Sequence, residues 1–162
     1  MKAAALALWL ALAPGLALAA EAPPILAAIF QDHAVLQRDR PIRVWGSAAP
    51  GEDVTVSLAG ESASAHTGPD GRWEASLGSM PAGGPYALTA RTGGRTQTVQ
   101  DLLVGDVWLC SGQSNMVLQV NRTLNSRAEI ADSANDSIRL FTVPNIEMRR
   151  SAVIDFVCSR PF

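Results

Sequence analysis

The residues most able to do chemistry lie in one short string, Gly112-Gln113-Ser114-Asn115. A serine hydroxyl becomes a nucleophile for acyl transfer when a histidine takes its proton and an acid orients that histidine. Gly112 permits a sharp backbone turn, and a serine at the start of a helix sits beside free N–H groups that would stabilise a developing oxyanion. The tripeptide Gly-x-Ser also suits an ordinary helix cap, so it does not decide the matter alone. Only two histidines exist, and both precede the serine. His66 shares a strand face with Ser62 and Ser64, opposite Ala63 and Ala65, and reads as solvent-facing. His33, in Gln31-Asp32-His33-Ala34-Val35-Leu36-Gln37, precedes the first clear strand and reads as a tie for the N-terminal segment.

The element that must deliver Ser114 is the apolar run Leu102-Leu103-Val104-Gly105-Asp106-Val107-Trp108-Leu109-Cys110. Continuous apolar strands belong to parallel sheets covered on both faces, and open α/β sheets place reactive groups at the carboxyl ends of such strands. Val117, Val120 and Leu124 then fall on one helical stripe. Ser126 with Glu129 makes a candidate capping box for a helix whose inner face is Ile130, Ala131 and Ala134. Ile138 to Val143 reads as the next strand, stopped by Pro144, and strand, loop, helix, strand opens a parallel α/β fold.

Upstream the grammar differs. From Pro41 to Val104 apolar and polar residues alternate with period two: Val54, Val56, Leu58; Trp73, Ala75, Leu77; Tyr86, Leu88, Ala90. Turn residues separate the bursts at Ala49-Pro50-Gly51, Gly68-Pro69-Asp70-Gly71, Gly83-Gly84-Pro85 and Gly93-Gly94. No helix fits here, and the spacing predicts an antiparallel β-sandwich of about 80 residues. The expected organisation is a signal peptide over residues 1–20, a sandwich over 25–105, and the N-terminal part of an α/β domain over 106–162.

The leader rests on Lys2, the apolar run Ala3 to Ala13, the break at Pro14-Gly15 and the small residues Ala17-Leu18-Ala19. No uninterrupted apolar run reaches the roughly 18 residues of a membrane span, so the expectation is export by cleavage, with no membrane attachment afterwards. The chain holds 13 basic and 15 acidic residues; losing Lys2 leaves 12, all arginine, and a charge of 12 − 15 = −3. Nucleic acid and anionic membranes need clustered positive charge, which disfavours both as partners. Cys110 and Cys158 are too few for a disulfide-built scaffold; Cys110 lies in a run that reads as buried, and neither cysteine has a ligand partner at zinc spacing. The sequence contains no phosphate-binding glycine loop, metal cluster or cofactor motif. Two glycosylation sequons, Asn121-Arg122-Thr123 and Asn135-Asp136-Ser137, matter only in a eukaryotic secretory pathway.

The string Asp106-Val107-Trp108-Leu109-Cys110-Ser111-Gly112-Gln113-Ser114-Asn115-Met116 resembles the nucleophile block of the sialate O-acetylesterase family, a branch of the Ser-Gly-Asn-His hydrolases. The resemblance extends upstream through Phe30 to Arg38, Val44-Trp45-Gly46, Pro50-Gly51-Glu52, Asp70-Gly71-Arg72-Trp73 and Gly83-Gly84-Pro85-Tyr86, and downstream to Ile138-Arg139-Leu140-Phe141. It covers roughly Ile25 to Val143. It implies a β-sandwich followed by a flavodoxin-like hydrolase domain, and removal of O-acetyl groups from sialic acids or other acetylated sugars. It further implies Ser114 as acyl-accepting nucleophile, its own backbone N–H as an oxyanion donor, and Gly112, Gln113 and Asn115 as support for that turn. The family's base and orienting acid come from an Asp-x-x-His motif near its carboxyl end, and no histidine follows Ser114 in this chain. Ser133-Ala134-Asn135-Asp136 lacks the leading glycine of the family's Gly-x-Asn-Asp block and follows Ser114 too closely. From Ser151 to Phe162 the resemblance stops, and 162 − 106 + 1 = 57 residues are too few for a doubly wound sheet. The reading is therefore of a truncated or frameshifted esterase, inactive or weakly active alone, with exposed apolar surface and open strand edges. The alternative is a non-catalytic carbohydrate-binding or interaction module carrying a vestigial hydrolase segment.

Overall fold

The computed structural model describes residues 23–112, 118–142 and 153–160. It is rich in strands: β1 (Val35–Gln37), β2 (Pro41–Ser47), β3 (Asp53–Leu58), β4 (Glu61–His66), β5 (Arg72–Ser79), β6 (Gly83–Arg91), β7 (Thr96–Gly112), β8 (Arg139–Phe141) and β9 (Val153–Arg160). The single described α-helix, α1, spans Ser126–Ala131, after a 3-10 turn at Val120–Arg122. One sheet runs β4-β3-β6-β7-β9-β8 with β1 attached to β7, and β2 pairs with β5 in a separate ribbon.

The period-two alternation does what burial requires of it. In β3, Val54, Val56 and Leu58 are buried while Asp53 and Thr55 are exposed. In β5, Trp73, Ala75 and Leu77 are buried between exposed neighbours, and Ile42 and Val44 of β2 join them from the opposing strand of the ribbon. Leu88 and Ala90 of β6 and Val99, Leu102 and Val104 of β7 complete a single core that draws on both the large sheet and the ribbon.

Two glycines explain local geometry. The β3–β4 hairpin turns on Ala59 (φ 51°) and Gly60 (φ 88°), with Leu58 opposite Glu61. A two-residue hairpin loop with both central residues at positive φ matches the twist of its strands, and glycine adopts that conformation freely. Gly46 pairs with Leu26 in an isolated bridge, and a Cβ placed there would lie 1.8 Å from the Ile25 carbonyl oxygen. Only glycine lets the N-terminal segment lie against β2.

Several expectations for the later residues are corrected. The Leu102–Cys110 run forms one strand with its upstream neighbours, passing position 105/106 without a break. Its described partners are antiparallel, β6 on one side and β9 on the other, and only β1 runs parallel to it. The strand expected to be covered on both faces is covered only at its start. Leu102 and Val104 are fully buried, whereas Trp108 and Leu109 are 64% and 66% exposed, because no described element packs over them. Cys110 is partly exposed, with a free thiol, and the register sets it opposite Phe156 while Cys158 faces Trp108.

The helix begins one residue earlier than the capping-box reading placed it. Asn125, at φ 59°, is the N-cap, Ser126 is already helical, and no side chain caps the end. The expected inner face of Ile130, Ala131 and Ala134 is exposed, as are Val120 and Leu124. β8 occupies the middle of the predicted Ile138–Val143 strand and pairs antiparallel with β9. The expected leader over residues 1–20, Val117 and Val143 lie outside the described residues.

Candidate active-site segment

β7 is the rail on which the candidate nucleophile segment is carried. Its 17 residues end at Gly112, and Ser114 follows two positions on. Gln113, Ser114 and Asn115 lie outside the described residues, so the geometry on view is that of the strand leading to them.

That strand is pinned at its middle by the segment ending in β1. The parallel register sets Val35 against Leu103, Leu36 against Val104 and Gln37 against Gly105. The backbone N–H of Arg38 donates to the Gly105 carbonyl at 2.9 Å, and the Val107 N–H donates to Gln37 Oε1 at 2.9 Å. Arg38 then places its guanidinium on Asp106, with Nε 2.9 Å from Oδ1 and Nη2 3.4 Å from Oδ2. A two-nitrogen grip of this kind fixes orientation as well as distance. The hydrogen bond and the charge of Asp106 both hold the Arg38 guanidinium more firmly protonated than usual. Residues separated by 68 positions thus set the direction in which β7 leaves the body of the molecule.

A second polar cluster lies further back on β7. Asp101, at φ 54°, accepts from His33 Nδ1 at 2.5 Å and from Arg139 Nη2 at 3.0 Å. Arg139 also donates to the Asp101 carbonyl at 2.5 Å, and the His33 backbone N–H donates to the Gln100 carbonyl. The hydrogen bond from His33, then that from Arg139, hold the Asp101 carboxyl below the usual carboxylate range against the opposing pull of desolvation. Asp32 adds a bond from the Gln100 N–H at 2.7 Å. His33 is a tie for the N-terminal segment, as its position in the sequence suggests.

This placement also bears on whether His33 serves as a base. Asp101 and Gly112 are 11 residues apart on one strand, about 35 Å at the ordinary strand rise. His33 is therefore held on the Asp101 part of β7, well back from Gly112. His66 is equally committed elsewhere, on the exposed edge strand β4 with Nδ1 2.9 Å from Asp53 Oδ1. Neither histidine is brought to the end of β7 that carries the serine. Among the described residues no group of three or more His, Cys, Asp or Glu is arranged to hold a metal.

The functional residues that sequence reasoning did not connect are Gln37, Arg38, Asp106 and the Asp101–Arg139 pair. The available signal was an arginine closing one block of the resemblance and an aspartate opening another, complementary charges that only the fold brings together.

No protein-family model matches the chain. Curated relatives do. A sialate O-acetylesterase of Mus musculus is 36% identical over 133 residues, covering 75% of this chain and 25% of the relative. The sialate O-acetylesterase of Homo sapiens is 33% identical over 180 residues, covering 92% of this chain and 34% of the relative. Among solved structures, a carbohydrate acetylesterase from Xanthomonas citri superposes with a TM-score of 0.69 at 33% identity, over 86% of this chain and 32% of that one. The chain thus spans between a quarter and a third of the length of the curated relatives it matches.

Proposed function

Because the chain belongs to the sialate O-acetylesterase family over the segment it shares with those relatives, we propose that it is the nucleophile-bearing portion of an exported carbohydrate O-acetylesterase. The observation that supports the reading is that β7 carries the Asp106–Gly112 part of the resemblance block and is gripped there by Gln37 and Arg38 from the other main block. In this account residues 25–105 form a β-sandwich, and residues from 106 onward begin an α/β hydrolase domain.

The chemistry would be acyl transfer. Ser114 Oγ attacks the acetyl carbonyl carbon, and the tetrahedral oxyanion accepts a hydrogen bond from the Ser114 backbone N–H. The sugar oxygen departs with a proton, leaving an acetyl-serine that water hydrolyses to acetate. The proton transfers need a base, which the family's Asp-x-x-His motif would supply. The 162-residue chain alone is therefore expected to show little or no turnover.

The test is a chimera in which residues 25–143 replace the matching segment of the Xanthomonas citri carbohydrate acetylesterase. A chimera with native circular dichroism should release acetate from an acetylated sugar, and Ser114→Ala should lower kcat at least about 1,000-fold. Retained turnover in Ser114→Ala would remove Ser114 from the mechanism.

A further inference from the structure

The ribbon of β2 and β5 turns one face to the core and the other outward. Arg43, Trp45 and Ser47 of β2 and Arg72 and Glu74 of β5 make the outward face, and the register sets Trp45 opposite Glu74 and Ser47 opposite Arg72. Trp45 is the one large hydrophobic residue left exposed upstream of Asp106 among the described residues, at 42%. Its ring is not free to collapse, because it meets Phe30 edge to face, with centroids 4.8 Å apart at 76°. An open cleft of about 820 Å³ lies beside it, lined also by Asp70, Arg72, Trp73 and Glu74. That volume is in the range of ligand sites, roughly 300–1,000 Å³.

The chemistry of the lining selects a class of ligand. A fixed, half-exposed indole offers a flat apolar surface. Around it stand groups with unused hydrogen-bonding capacity: Asp70, with Oδ1 on the Arg72 N–H, and the Arg72 guanidinium, 4.0 Å from Asp70 Oδ2 and 84% exposed. Trp73 lines the same cleft, and its buried Nε1 has no partner. Charge is nearly balanced, since Arg43 grips Glu74 with two nitrogens at 2.7 and 2.8 Å and Arg72 sits beside Asp70. An apolar plate ringed by donors and acceptors without net charge suits a pyranose or furanose unit, whose C–H face stacks while its hydroxyls bond at the rim. An anionic sugar would find no uncompensated cation there.

We propose that the outward face of the β2–β5 ribbon is a binding site for a neutral saccharide chain, separate from the serine segment, with Trp45 as its stacking surface. The proposal rests on the functional reading only in taking carbohydrate as the material handled. It is tested by isothermal titration of the 162-residue chain with xylohexaose, a neutral sugar oligomer, and with 3′-sialyllactose, an anionic one. Saturable binding of xylohexaose is expected in the chain and in Ser114→Ala alike. Trp45→Ala should weaken it at least tenfold and Arg72→Ala severalfold, with 3′-sialyllactose binding more weakly throughout. Arg72→Ala removes a side chain that is 84% exposed, so its effect is read even if Trp45→Ala fails to fold. No saturable binding of xylohexaose, unchanged binding in Arg72→Ala, or tighter binding of 3′-sialyllactose overturns the proposal. Loss of acetate release in the chimera with Ser114→Ala is a separate result, so failure of the binding site and failure of the esterase reading are told apart.

Discussion

The stretch before Asp106 and the stretch after it use apolar residues in opposite ways. Among the described residues, every member of the buried hydrophobic core lies between Ile25 and Val104. Of the exposed large hydrophobics among the described residues, all but Trp45 come later: Trp108, Leu109, Leu118, Val120, Leu124, Ile130, Ile138 and Leu140. The first region alternates with the strand period and closes its core on itself. The second carries apolar residues in patterns that no described neighbour covers. The first region holds the described core, and the later described residues join it through β7.

The largest test of this contrast is Leu88→Ala. Leu88 is fully buried between β3 and β7, and removing it should cost about 3 kcal/mol in chemical denaturation of the chain. A smaller, pH-dependent effect should come from Asp101. Its pKa is depressed in the fold, chiefly by the hydrogen bond from His33 and also by Arg139, so its contribution is present above the unfolded value of about 4 and is lost as pH falls through the folded one. Asp101→Asn keeps a residue tolerant of its positive φ and should flatten the fall in denaturation midpoint at acid pH. The smallest effect belongs to Leu124→Ser. Leu124 is 92% exposed, so stability should change by no more than about 0.5 kcal/mol while sedimentation shows less self-association. A loss comparable to that of Leu88→Ala would place Leu124 in a core and break the contrast.

What the sequence made legible follows from the range of each signal. Period-two alternation is local, and it located the buried residues of β3, β5 and β6 correctly. The turn at Ala59-Gly60 was missed because alanine carries no turn signal and sits there in a conformation unusual for it. The continuous run of Leu102–Cys110 identified a strand but not its partners, since apolar content alone does not distinguish parallel from antiparallel neighbours. Ser126 and Glu129 have capping spacing, yet Asn125 fills the cap position, a one-residue difference that local pattern does not resolve. At the candidate site, the string around Ser114 was legible through resemblance. The Arg38–Asp106 grip and the His33–Asp101–Arg139 cluster were not, because they join side chains many residues apart whose meeting depends on the β1–β7 register.

The most direct measurement of the central claim, that the core lies before Asp106 and the described helical residues stand outside it, is amide hydrogen exchange followed by mass spectrometry. The account predicts that peptides from Val54–Leu58, Leu88–Ala90 and Val99–Val104 exchange only through global unfolding, while those from Val120–Ala131 exchange far faster, in a low-stability unit of their own. Equal, global protection across both sets would contradict it, because the later residues would then belong to the same cooperative core.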